Sequence, residues 1–176
     1  RQMCIRDSFM THGGIDVKRI LGAAARDVMV ILGKQNGIHG ASTITQQLIK
    51  NTILSSEAAS ESNPLDRINR KIKEIVLAVK LDKQVSKEEI IRTYLNTIPL
   101  SGHIYGVEAA SRYFFAKNAK DLTLLECAYI AGITQAPTTY SAYNTSSSNY
   151  PNGYINRTKT VLSKMLELGY ISPVSY

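Results

Sequence analysis

The 176-residue sequence predicts a fold that is all-α or nearly so. Apolar residues recur at spacings of three and four, which places them on one face of a helix. Ser86 with Glu89, and Thr123 with Glu126, form the capping-box pattern that marks a helix N-terminus. The strict apolar and polar alternation of a half-buried strand is absent. With 44% hydrophobic residues, the chain can bury one core and fits a single domain.

The first half of the chain contains three predicted helices. The first carries apolar residues from Val17 to Leu32, with Asp16 as N-cap and Gly33 as its stop. A glycine-rich link leads to the second, TITQQLIKNTIL. The polar stretch SSEAASESNP ends in proline, so it predicts a surface connection. The third, long helix has an apolar stripe opposite a charged face; the stripe is Ile68, Ile72, Ile75, Val76 and Val79, and the charged residues are Arg67, Arg70, Lys71 and Glu74.

The second half continues the helical pattern. Helices are predicted over KEEIIRTYLN, YGVEAASRYFFAK and LLECAYIAG. The run YSAYNTSSSNYPNG predicts a loop, and NRTKTVLSKMLELG predicts a final amphipathic helix that ends at Gly169. Cys127 lies in an apolar stretch and is expected to be a small buried side chain. Two cysteines make no disulfide framework, thiol motif or zinc motif.

The chain is basic, with a formal charge of +7 and a pI near 9.4. Such a charge suits nucleic acid, phospholipid headgroups or a pyrophosphate group, and alone it does not choose among them. No apolar run approaches the roughly 18 to 20 residues of a membrane span, and no export signal opens the sequence. The sequence as given therefore predicts neither a membrane span nor an export signal.

Two groups of polar residues fall on helix faces. Thr43, Gln46, Gln47 and Lys50 lie within a sector of about 100°. This face is either a solvated surface or a cleft wall that hydrogen-bonds an oxygen-rich ligand. Arg70 and Glu74, with Lys71 beside them, are one turn apart, which suits a surface ion pair or a site.

The three histidines have no helix spacing typical of metal ligands. His12, beside two glycines, could act as an acid, a base or a helix cap; His39 and His103 lie in glycine-containing loops. The sequence has no GxSxG elbow, P-loop, GxGxxG fingerprint or SxxK set. Serine hydrolase and nucleotide-binding chemistry therefore have no support in the sequence.

Five ordered strings resemble the motifs of the family 51 peptidoglycan glycosyltransferases, across Phe9 to Ser172. FMTHGGID resembles the end of the first motif, GASTITQQLIKN the second and RKIKE the third. IIRTYLN is similar to the fourth, with Arg92 where a Glu is usual. YGVEAASRYFFAK and LTLLECAYIAGITQAPTTY follow the fifth region, with Ala116 in place of a common Gly.

The resemblance implies a mostly helical, lysozyme-like fold with a large lobe and a smaller, mobile, membrane-facing lobe around a cleft. Residues 15–40 correspond to the small lobe, where Met29, Val30, Ile31 and Leu32 could contact lipid or belong to a buried helix. The implied reaction joins lipid II units into β-1,4 glycan strands. A carboxylate base activates the acceptor 4-hydroxyl, which attacks the anomeric carbon with inversion and expels undecaprenyl pyrophosphate.

The resemblance also assigns roles to residues. Lys50, Arg70 and Lys71 match the cations that hold the pyrophosphate, with Mg or Mn as an optional divalent cation and no other cofactor. Glu74 matches the second catalytic glutamate, which orients or stabilises the reacting groups. His12 matches the histidine that shapes the first motif. The substrate-lining positions are Ser42, Thr43, Gln46, Gln47 and Asn51.

Both ends of the chain are interpreted as foreign sequence, which leaves residues 9–172 as a partial glycosyltransferase domain. Residues 1–8, RQMCIRDS, can be back-translated into a transposase adapter used for sequencing libraries, and residues 173–176 into part of its reverse complement. Counted back from Phe9, the catalytic Glu and its neighbouring Asp fall on Ile5 and Arg6. Neither side chain accepts a proton at neutral pH, so this polypeptide is expected to be inactive.

The expected setting is the outer face of a bacterial cytoplasmic membrane, with lipid II, the growing glycan and the membrane surface as partners and no nucleic acid. The natural protein is expected to carry an N-terminal anchor, absent from this chain, and a fused transpeptidase domain. Two alternatives remain at this point: a lytic transglycosylase or muramidase that cleaves glycan, and a non-catalytic lipid II-binding scaffold.

Overall fold

The computed structural model describes residues 9–18, 20–22, 42–142 and 152–172, and it is predominantly helical, as predicted. The elements are α1 (Ile44–Asn51), α2 (Ser55–Ala59), α3 (Pro64–Gln84), α4 (Lys87–Thr97), β1 (Pro99–Ser101), β2 (Ile104–Tyr105), α5 (Val107–Phe115), a 3₁₀ turn (Ala119–Asp121), α6 (Leu124–Ile133), α7 (Pro137–Tyr140) and α8 (Gly153–Glu167). Helical backbone also occurs at 17–18 and 20–22. The ends predicted to be foreign, and residues 23–40 of the predicted small lobe, lie outside the described residues.

The chain divides into two compact units, Arg1–Tyr94 and Leu95–Tyr176. In the first unit, α1 packs against α3 and buries Ile44, Leu48 and Ile49. Within the described part of the chain, no helix is long and apolar enough to cross a bilayer.

Side chains fix the beginnings of α1 and α3. Thr43 and Gln46 form a capping box, in which Thr43 Oγ1 accepts from the Gln46 N–H at 3.2 Å and Gln46 Oε1 accepts from the Thr43 N–H at 2.9 Å. Asn63 caps α3 by accepting from the Asp66 N–H, and Pro64 occupies the first turn, where its missing N–H costs nothing. The stretch predicted as a surface connection contains the short helix α2.

Helix α3 turns its apolar stripe outward. Its buried residues are Glu74 and Ala78, whereas Ile68, Ile72 and Val76 are 55%, 56% and 47% exposed. The apolar face of an amphipathic helix is ordinarily the buried one. Here part of the polar face is buried instead, because Arg70 and Glu74 pair with each other and Arg70 also pairs with Glu61, whereas Arg67 is 74% exposed.

The FMTHGG segment packs directly on the α3 backbone. Gly14 has φ +83°, and a Cβ at this position would lie 2.3 Å from the Ala78 carbonyl oxygen, so only glycine fits. The Thr43 hydroxyl donates to the Gly14 carbonyl at 2.7 Å, and Lys87 Nζ donates to the His12 carbonyl at 2.6 Å. These contacts join the N-terminal segment to α1, α3 and α4.

The second unit is built around α6 and α8, which make its most extensive helix contact. Thr123 and Glu126 form the predicted capping box at the start of α6. A small antiparallel hairpin, β1 with β2, is the sheet that the described part of this unit contains. The expectation that Cys127 is buried is wrong, because its side chain is exposed.

Helices α5, α6 and α8 border an apolar cavity of about 380 Å³ in the second unit. Aromatic side chains dominate its wall, where Phe114 and Tyr129 meet edge to face with ring centroids 5.3 Å apart. Glu126 lies at this wall, but its carboxylate already caps α6 and pairs with Lys117 at 2.7 Å. The carboxylate at this wall is therefore already committed to structural contacts, and Lys159 is the other charged residue among those that line the cavity.

Replacing Ala116 with glycine is expected to stabilise the protein. Ala116 ends α5 in the left-handed conformation, at φ 55°, where its Cβ is strained. Relief of about 1–2 kcal/mol, less the entropy that glycine adds to the unfolded chain, predicts that the free energy of unfolding rises by about 0.5–1 kcal/mol for Ala116→Gly. Denaturant titration measures it. Ala131→Gly, at an exposed interior position of α6, should instead lower it by about 1 kcal/mol.

Candidate active site

A buried carboxylate lies between two cations on the inner face of α3. Glu74 is 1% exposed, and it forms an ion pair with Arg70 one turn before it. Lys71 Nζ donates to its second oxygen, Oε2, at 2.7 Å. A carboxylate so enclosed is stabilised only while its cationic partners stay in place.

A second carboxylate, Glu61, holds the other side of Arg70. The Arg70 side chain is 11% exposed and that of Glu61 is 14% exposed, and the two form a salt bridge. The hydrogen bond from the Arg70 guanidinium holds the pKa of Glu61 below its usual range. No sequence motif singles out Glu61, which lies in the stretch predicted to be a surface connection. A buried guanidinium has five N–H donors that need acceptors, and Glu61 accepts from one of them.

Lys71 links this cluster to the start of α1. Its Nζ also donates to Ser42 Oγ at 2.7 Å. Burial, together with the charges of Arg70 and Lys50, lowers the pKa of Lys71 to about 8. Lys50, in the last turn of α1, is exposed and close enough for its charge to act on Lys71. The second and third motifs therefore meet at one place.

The cluster carries a net positive charge. Lys50, Arg70 and Lys71 supply three cations, and Glu61 and Glu74 supply two carboxylates, so one positive charge is uncompensated within this group. Arg70 is enclosed by its two carboxylates, whereas Lys71 and Lys50 retain exposed surface. The outward-facing part of the cluster is thus cationic, which suits an anionic ligand.

The other predicted substrate-lining residues lie in different surroundings. Thr43 and Gln46 have no exposed surface, since they form the α1 cap, so this helix face is not a solvated surface there. Gln47 is half-buried and accepts a hydrogen bond from the Tyr94 hydroxyl at 3.2 Å. Asn51 is the last residue of α1, and no hydrogen bond or ion pair among the described residues joins its side chain to the cluster.

His12 is held against Phe9, edge to face with ring centroids 6.0 Å apart. Neither of its ring nitrogens is exposed or hydrogen-bonded in the structure as described. Burial, followed by the charge of Lys87, lowers its pKa. In this arrangement the neutral imidazole is a packing group of the first-motif segment.

Two further observations bear on the chemistry. Arg92, at a position where the resemblance led us to expect Glu, is exposed and pairs with Glu89 on α4 at 3.2 Å. Among the described residues, no group of three or more His, Cys, Asp or Glu side chains is arranged to hold a metal ion.

Comparison with known families now adds to this geometry. The sequence model of the family described as Transglycosylase matches residues 6–166. This chain belongs to the transglycosylase family. The match spans the first-motif segment, the ion cluster of α1 and α3, and α4 to α8, so the candidate site lies within the family domain.

The transglycosylase chain is similar to several penicillin-binding proteins 1A. It is 52% identical over 170 residues to that of Clostridium perfringens (strain 13 / Type A), 49% over 167 residues to that of Clostridium tetani (strain Massachusetts / E88), and 38% over 168 residues to that of Streptococcus oralis. These alignments cover 97%, 94% and 96% of the chain, but only 24%, 20% and 24% of the relatives. The chain therefore spans about a quarter or less of these proteins.

Proposed function

We propose that this domain is a peptidoglycan glycosyltransferase that joins lipid II units into β-1,4 glycan strands. The observation that carries the proposal is the cluster of Lys50, Arg70 and Lys71 around the buried Glu74. A reaction that expels a diphosphate needs cations where negative charge grows. The proposed setting is the outer face of a bacterial cytoplasmic membrane, in a protein that also carries a transpeptidase domain.

In the proposed reaction, the acceptor 4-hydroxyl loses its proton to a carboxylate base and attacks the anomeric carbon of the donor. A new C–O bond forms on one face as the bond to the diphosphate breaks on the other, so the configuration inverts. Lys71 and Lys50, which have exposed surface, would contact the departing undecaprenyl pyrophosphate. Ser42 would hold Lys71 in position through their hydrogen bond.

Glu74 is proposed to organise the cations. Its side chain is 1% exposed and already contacts Arg70 and Lys71, so it is poorly placed to receive a proton from an incoming sugar. The base would come from the first motif, where the family pattern places Glu and Asp on positions held here by Ile5 and Arg6. We therefore propose that this polypeptide binds the diphosphate but does not polymerise.

Binding of inorganic pyrophosphate tests the proposed cluster directly. A protonated Lys71 attracts the anion, and with a pKa of about 8 it loses its charge as the pH rises through that value. Affinity should therefore fall between pH 7 and pH 9.5 by about tenfold, equivalent to about 1.4 kcal/mol for a charged hydrogen bond. Isothermal titration calorimetry across this range measures the change.

Two variants provide controls for that titration. Lys71→Arg keeps a cation that does not titrate in this range. Its affinity for pyrophosphate should therefore change little with pH, and any change that remains reports the ionisation of the ligand, which is the same for both proteins. Lys120→Met removes an exposed cation of the second unit and should bind as the parent does. Equal pyrophosphate affinity for the parent and Lys71→Met at pH 7 would rule out the proposed diphosphate site.

A further inference from the structure

The outward face of α3 is a continuous apolar stripe. Leu65, Ile68, Ile72 and Val76 are 70%, 55%, 56% and 47% exposed, and they follow one another at intervals of three, four and four residues. At about 100° per residue they share a sector of about 80° and run for about 16 Å along the helix. Packing within the protein therefore leaves four large aliphatic side chains in water, which is costly unless something covers them.

The polar cluster occupies the opposite side of the same helix. Ile72 and Glu74 are two residues apart, which separates their directions by about 200°. The carboxylate is 1% exposed while the isoleucine is 56% exposed. Helix α3 thus has one face committed to the ion cluster and the other available to a partner outside the unit.

Cations accompany the stripe. Lys80 and Lys83 follow Val76 on the outward side of α3, both are exposed, and neither forms an ion pair with another described residue. The nearby acidic residue Glu57 is neutralised by Lys73 at 2.9 Å. Apolar side chains flanked by exposed lysines suit the headgroup region of an anionic bilayer, where the chains enter the acyl boundary and the ammonium groups remain with phosphates.

We infer that the stripe of Leu65, Ile68, Ile72 and Val76 is a lipid-contacting face on which α3 lies along an anionic phospholipid bilayer. The sequence had led us to expect membrane contact at residues 15–40, so this is an additional surface. The inference deepens the proposed function by giving the site a place relative to the membrane, but the contact itself needs no glycosyltransferase activity. With a helix diameter of about 10 Å, the cluster would lie roughly one helix thickness above the lipid.

Vesicle binding tests this inference with lipids that contain no lipid II. The full chain is mixed with large unilamellar vesicles of phosphatidylcholine, with or without phosphatidylglycerol, and the bound fraction is measured by flotation. The triple variant Ile68→Ser, Ile72→Ser, Val76→Ser should lower partitioning by at least about tenfold. Lys80→Gln with Lys83→Gln should weaken binding to the anionic vesicles severalfold and leave binding to neutral vesicles unchanged.

The control removes three other exposed apolar side chains, Leu95, Tyr105 and Leu168, by substitution with serine and should bind vesicles as the parent does. Circular dichroism and thermal unfolding report whether the stripe variant is folded, and both should match the parent because its substitutions are on the surface. Lys71→Met should no longer bind pyrophosphate but should still bind vesicles, so each proposal can fail without the other. Unchanged vesicle binding by the folded stripe variant would overturn the inference. If that variant also lost self-association in sedimentation while it kept vesicle binding, the face would be a protein interface instead.

Discussion

Acidic residues placed at positions 5 and 6 are expected to turn this chain into a polymerase of lipid II. In the double variant Ile5→Glu, Arg6→Asp, a carboxylate is restored at the position where the family motif has its general base. This base accepts the proton of the acceptor hydroxyl. A positioned general base contributes roughly 100- to 10,000-fold to a rate. Turnover should therefore rise by at least about 100-fold over the parent chain, measured by gel electrophoresis of glycan strands made from labelled lipid II.

Single variants and a combined variant sharpen this experiment. Ile5→Glu alone should recover most of the activity, because position 5 corresponds to the base, and Arg6→Asp alone should recover little. Adding Glu74→Gln to the active double variant should remove activity again, since the cation cluster loses its central carboxylate. Appreciable turnover by the unmodified chain would contradict the base assignment. Failure of the double variant, with pyrophosphate still bound, would place the base elsewhere.

Glu74→Gln should also lower the free energy of unfolding more than the removal of any single charge from the described surface. The change leaves Arg70, which is 11% exposed, with one carboxylate instead of two, and Lys71 with none. Breaking a buried ion pair by removing one partner costs about 3–5 kcal/mol. A loss of that order in the free energy of unfolding, from guanidinium titration, is the expected result.

The exposed pair of Glu89 and Arg92 supplies the comparison. Glu89 is 49% exposed, and its pair spans 3.2 Å on one helix, so Glu89→Gln should cost about 0.5 kcal/mol or less. Arg70→Met combined with Glu74→Met should cost less than the two single changes together, because the two most buried charges are removed as a pair and Glu61 keeps Arg67 as a partner at 3.5 Å. Similar losses for Glu74→Gln and Glu89→Gln would show that the cluster contributes little to folding.

The sequence predicted helix boundaries well wherever a capping side chain marks them. Thr123 with Glu126 and the Ser86 side chain, which accepts from the Glu89 N–H at 3.2 Å, both lie at helix starts in the structure. Such interactions are local, so three or four residues determine them. The meeting of Lys50, Lys71 and Glu74 depended instead on the family motifs, because nothing local connects α1 with α3.

The orientation of α3 could not be predicted from its residues. Periodicity defines two faces of a helix but does not determine which face is buried when the charged side has partners elsewhere in the chain. Here Glu61, outside α3 and nine residues before Arg70, pairs with that arginine, and Ser42, 29 residues before Lys71, accepts from that lysine, while Ile72 is left exposed. Thr43 and Gln46 carried the same ambiguity: the sequence suggested that they line a ligand site, and in the structure Thr43 Oγ1 and Gln46 Oε1 form the capping box of α1.

The hydrogen bond from the Thr43 hydroxyl to the Gly14 carbonyl has a consequence for how the chain tolerates change. These residues are 29 positions apart, so their contact closes a loop of the chain within the first unit. The entropy of closing a loop depends only logarithmically on its length, so that doubling the length costs about 0.6 kcal/mol. Changing the number of residues between Gly14 and Thr43 should therefore alter the cost of making this contact only slightly, whereas removal of the Thr43 hydroxyl abolishes the contact itself.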